Sequence, residues 1–155
     1  MIELNYVFKQ EGLADTLYQL IRASMEDPWL VLSGNNVLGI IDRVDNCWVQ
    51  IAGNEVSEAA INGMGNFISK QQFSWLPGLV KKQWLDYVLE VTVISKNNYE
   101  VICKENICIK RFKQRFIPGI HALARREEEI VFKVSSFNKS SFYEVTKAPA
   151  IDRFV

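Results

Sequence analysis

YVLEVTVISKNNYEVICKENICIKRF, residues 87 to 112, decides the fold class. Its β-branched and aromatic residues fall into three runs, Tyr87 to Ile94, Tyr99 to Cys103 and Ile107 to Phe112. Side chains of this kind suit a pleated, half-buried surface. Asn97-Asn98 and Lys104-Glu105-Asn106 stand between the runs, and Asn, Asp and their neighbours tolerate tight-turn geometry. Two further runs, Glu129 to Phe137 and Ser141 to Thr146, are separated by Asn138-Lys139. The simplest topology is an antiparallel meander. Pro118-Gly119 interrupts it, and His121 to Glu128 reads as a short helix or a strand extension.

Moving toward the amino terminus, Phe73 to Trp84 holds Trp75, Pro77 and Gly78 and reads as a packed loop or short helix. Val56 to Ile68 reads as a helix capped by Asn54 or Ser57, with Val56, Ala59, Ala60 and Met64 near one face. Val37 to Ile41 and Cys47 to Ile51 flank Asp42 to Asn46 as a hairpin with a loop of several residues. Trp29 to Leu32 is a strand that turns at Gly34-Asn35-Asn36. From Glu11 to Met25 the residues Leu13, Leu17, Leu20, Ile21 and Ser24 follow one helical stripe, which Pro28 stops. Ile2 to Phe8 alternates as a half-buried strand.

These elements predict an α+β fold: a mainly antiparallel, curved sheet with two main helices packed against it. The 155 residues are 48% hydrophobic and 23% charged, with no Pro/Gly/Ser-rich linker and no internal repeat, so a single globular domain over 1–155 is expected. MIELNYVFKQEG has neither a cationic start nor an apolar stretch of signal length, and no run approaches the roughly 20 apolar residues of a membrane span. A cytoplasmic protein without a membrane role is the expectation. Three cysteines, Cys47, Cys103 and Cys108, fit reduced thiols, with Cys103 and Cys108 facing each other across a hairpin.

Formal charge sums to zero but is unevenly distributed. Residues 1 to 68 carry nine acids and three bases; the remainder carries nine acids and fifteen bases. The densest basic stretch is Lys110, Arg111, Lys113 and Arg115, interleaved with Phe112 and Phe116 and followed by Arg125 and Arg126. On a strand, Lys110 and Phe112 would share one face and Arg111 and Lys113 the other. That stretch could hold phosphates while aromatic rings stack on bases, which makes single-stranded nucleic-acid binding the alternative reading.

Catalytic machinery is not legible. His121 is the single histidine, so multi-histidine metal sites are excluded and no metal or cofactor is expected. Asn62-Gly63-Met64-Gly65-Asn66 lacks the lysine of a phosphate loop. If an enzyme were hidden here, Cys108 and His121 would form the pair, with Arg125 or Arg126 holding an anionic substrate. The aromatic segment Phe73, Trp75, Leu79, Trp84 and Tyr87 fits either a core or a ligand pocket.

The charge split and the absence of catalytic motifs point to a small protein-binding domain, most concretely an inhibitor or immunity protein that occludes a toxin or enzyme. Its partner would be a basic toxin or nuclease, met by an acidic face of Asp42, Asp45, Glu55 and Glu58. The alternative contact surface is the basic one, Lys110, Arg111, Phe112, Lys113 and Arg115.

Overall fold

A computed structural model describes residues 1–124 and 128–148. The fold is α+β with mainly antiparallel pairing, and its strands form two sheets. The chain divides into two compact units, Met1–Gln71 and Gln72–Val155.

The first unit is a five-stranded antiparallel meander in sequence order: β1 (Ile2–Phe8), β2 (Thr16–Arg22), β3 (Trp29–Ser33), β4 (Asn36–Val44) and β5 (Cys47–Gly53), followed by α1 (Glu58–Lys70). The helix expected over Glu11 to Met25 is absent, and its centre is β2. TLYQLIR pairs with β1 along its whole length, from Ile2 opposite Arg22 to Phe8 opposite Thr16. The same residues satisfy both periods: Leu17, Leu20 and Ile21 lie on a helical stripe, yet Tyr18 and Leu20 also alternate inward between the more exposed Leu17, Gln19 and Ile21. An unpaired β1 would leave a row of backbone groups unsatisfied, and β2 supplies their partners.

The other predicted elements of this unit form. The β4–β5 connection is tighter than expected, with Asp45 and Asn46 both at positive φ (50° and 64°), the geometry of a two-residue hairpin turn. Ser57 caps α1, its hydroxyl accepting from the Ala60 amide at 3.2 Å. The helix buries Ala60, Ile61, Met64 and Ile68. Ala59, expected on that face, is exposed. Tyr6 meets Phe67 with ring centroids 5.3 Å apart, and Trp48 lies over Gly65, where a side chain would collide with the indole. One face of the sheet thus forms a core of Ile2, Leu4, Tyr18, Leu20, Trp29, Val31 and Ile41 beneath α1.

The second unit contains α2 (Gln72–Gln83), β6 (Val88–Ser95), β7 (Asn98–Cys103), α3 (Ile109–Leu123), β8 (Ile130–Ser135) and β9 (Phe142–Lys147). Its four strands lie in sequence order, but β7 and β8 pair in parallel, with α3 as the crossover. The all-antiparallel meander is therefore corrected, and so is the strand expected over Ile107 to Phe112. Those residues enter α3, which continues through Pro118 and Gly119. Phe112, Phe116 and Ile120 recur every fourth position and are buried, the signature of a helical core stripe. Phe73 to Trp84 resolves as α2, with Phe73, Leu76 and Val80 buried and Trp84 packed on Phe112 and Phe116 just beyond its end. The stack continues from Phe116 to Phe132 and from Phe132 to Tyr99. Phe73 and Trp84 of the aromatic segment are therefore core, and Trp75 is half-buried. Leu79 is exposed and Tyr87 is half-buried.

Candidate functional site

The four acidic residues do not form one face. Asp45 occupies the β4–β5 turn, whereas Glu55 and Glu58 follow the opposite end of β5. At about 3.3 Å per residue, that strand separates the two groups by roughly 20 Å. Asp42 lies on β4 opposite Val49. It is partly engaged internally: burial pulls the pKa of Arg22 down, and the charges of Asp42 and Asp27 pull it back up. Arg22 also lies over the Trp29 ring at 5.1 Å and donates to the Asp27 carbonyl at 2.7 Å.

Strand geometry had paired Lys110 with Phe112; the helix separates them. Phe112 is 1% exposed and Phe116 is fully buried, so neither ring can stack on a base. Lys110, Arg111, Lys113 and Arg115 are all exposed, and among the described residues none has a carboxylate within salt-bridge distance. They divide around α3. Lys113 lies 5.2 Å from the Tyr143 ring centroid, while Arg111 and Arg115 occupy successive turns beside Tyr87. Arg125 and Arg126 lie outside the described residues.

The expected hairpin between Cys103 and Cys108 is not formed. Cys103 ends β7 in the core, and Cys108 is the exposed residue that opens α3. His121 sits in the last turn of that helix. At about 1.5 Å per residue, α3 keeps Cys108 and His121 roughly 20 Å apart, so they cannot act as a nucleophile and base pair. Among the described residues, no group of three or more His, Cys, Asp or Glu side chains could hold a metal ion. None of the helices described is long and apolar enough to cross a membrane.

A surface that sequence reading missed is the second face of the first sheet. Cross-strand register places Ile21, Leu30 and Ile40 side by side in one row that begins at Glu3 and ends at Ala52. The next row runs Asn5, Gln19, Leu32, Val37, and beyond it Val7 lies opposite Leu17. Leu17 is 56% exposed and Val37 58%, while Ile21, Leu30, Leu32 and Ile40 are half-buried. On β2, β3 and β4 this face carries Leu17, Ile21, Leu30, Leu32, Val37 and Ile40 around Gln19, with Glu3 and Asn5 along its β1 side and Asp42 on β4. Antiparallel sheets commonly bury one face and solvate the other with polar residues; here the second face mixes polar residues with six large aliphatic ones. Apolar side chains gathered on a sheet face in this way make it a candidate interaction surface. The signal was present in the alternation of Leu17, Gln19 and Ile21, but a helical reading of β2 scattered it.

Comparison with known protein families, curated proteins and solved structures finds no match.

Proposed function

We propose that the protein is a binding domain that docks a basic protein partner on the open face of its first sheet. In the most concrete form of this reading it is an inhibitor or immunity protein that occludes the partner's working surface. The observation that carries it is the apolar row Ile21, Leu30, Ile40 with its neighbours Leu17, Leu32 and Val37. Charge supports the sign of the partner: Met1–Gln71 holds nine acidic and four basic residues, a formal −5. Such a field speeds encounter with a cationic surface, whereas desolvation of the apolar rows sets residence time.

The test compares the wild-type protein with a Leu17→Lys/Val37→Lys variant as bait in lysate of the source cell. Both side chains are more than half exposed, so the variant should keep its circular dichroism and melting temperature. Loss of apolar burial at either position should cost about 1–2 kcal/mol, or roughly five- to thirtyfold in affinity. The expected result is one basic protein held by the wild type and lost from the variant, with its activity suppressed by stoichiometric wild type. Equal retention by the variant, or recovery of no protein partner at low salt, would overturn the reading.

A further inference from the structure

The second unit carries a separate feature that the docking proposal does not use. Between the end of α2 and the first two turns of α3 lies a cleft of about 280 Å³, lined by Tyr87, Asn106, Ile107, Cys108, Arg111 and Arg115. Among the described residues that line it, its two cations come without a carboxylate. The neighbouring cleft on the other side of Asn106 and Ile107 is lined by Lys104 and Glu105 together, so its formal charges cancel.

Arg115 is held in place rather than free to wander. Its Nη1 donates to the Tyr87 hydroxyl at 2.6 Å, and its guanidinium lies 5.5 Å from the Tyr87 ring centroid. Tyr87 in turn stacks on buried Phe112 at 5.4 Å and 19°. The guanidinium keeps further N–H donors after this one bond. Arg111, one turn earlier, brings a second fork to the same cleft. The first-turn amides of Arg111 and Lys110, with the charges of both side chains, draw the neighbouring Cys108 thiol below its ordinary value.

We infer that the Arg111–Arg115–Tyr87 cleft is a binding site for a small oxyanion headgroup, phosphate or carboxylate. Its volume falls at the lower edge of ligand pockets, which suits one headgroup and its immediate attachment rather than a whole nucleotide. Arg111 and Arg115 supply the bidentate donors, and the aromatic stack beneath Arg115 lowers the conformational cost of binding.

Cys108 provides the readout, because Cys47 is a second exposed thiol that belongs to the acidic unit and serves as the internal reference. The folded protein is alkylated with iodoacetamide, in which the thiolate sulfur displaces iodide, and each cysteine is followed by mass spectrometry at constant ionic strength. Inorganic phosphate, phenyl phosphate and acetate are the probes, with chloride as the matched salt. The expected result is saturable protection of Cys108 severalfold beyond any effect on Cys47, abolished by Arg111→Gln. Preference among the three probes separates free phosphate, a phosphomonoester and a carboxylate. An Arg111→Gln/Arg115→Gln double variant that fails to fold leaves the exposed Arg111→Gln variant as the deciding one. A Cys108 rate unchanged by all three anions, or slowed equally in Arg111→Gln, would overturn the assignment.

Discussion

Cys103 closes β7 with no exposed surface, and burial pushes its thiol up to about 11 from the ordinary 9.0. Unfolding returns the thiol to water, where it loses its proton first. Its contribution to stability is therefore complete below pH 9 and drains away as pH rises toward 11. Burial raises the phenols of Tyr99 and Tyr143 as well, which extends the same trend to higher pH. Between pH 8.5 and 10.5 the melting temperature of Cys103→Ala should fall less than that of the wild type; parallel declines would remove Cys103 as the titrating group. Cys108 behaves oppositely. Its rate of alkylation should reach half-maximum below the ordinary thiol pH, and Arg111→Gln should move that midpoint upward. None of this was legible from residue identity. Cys103 and Cys108 are five positions apart in sequence, and only the change from strand to helix between them gives one a core and the other a helix start.

At the scale of elements, α1 tests how closely helix and sheet approach. Gly65 lies beneath the Trp48 indole, so Gly65→Ala should displace the ring and cost about 1–3 kcal/mol despite the better helix propensity of alanine. Ser57→Ala removes the acceptor for the Ala60 amide and should cost about 1 kcal/mol. Denaturant titration measures both, and a neutral or stabilising Gly65→Ala would show that Trp48 moves aside without penalty. Sequence reading located this helix because Ser57 and the apolar spacing agree. It failed for β2 because seven residues fit two periods, and the deciding fact, ladder pairing with β1 and β3, lies outside the segment. It failed for α3 for a related reason. ICIKRF is β-like alone, while the four-residue spacing of Phe112, Phe116 and Ile120 becomes visible only when the run is followed through Pro118-Gly119. The basic residues are visible in the sequence, but their faces depended on that assignment. The open sheet face was lost with β2.

Across the whole molecule, the charge asymmetry visible in the sequence follows the division into two units. Gln72–Val155 holds fourteen basic and nine acidic residues, a formal +5 against −5 for Met1–Gln71. If the first unit meets a basic partner, added salt should slow association severalfold while leaving dissociation nearly unchanged. Leu17→Lys/Val37→Lys should chiefly accelerate dissociation, and surface plasmon resonance separates the two effects. A salt-independent association rate would remove steering from the mechanism.

The parallel β7–β8 pair has a consequence in time. Every strand of the first sheet finds its neighbour next along the chain, whereas β7 must wait for β8 across the whole of α3. Closing the longer loop spends more chain entropy before any ladder bond forms, and distant contacts slow folding. During refolding, pulse-labelled amides of β2 to β4 should gain protection before those joining β7 to β8. On a ribosome the same order follows the direction of synthesis, so the apolar rows of the first sheet would be assembled while the strands of the second unit are still emerging.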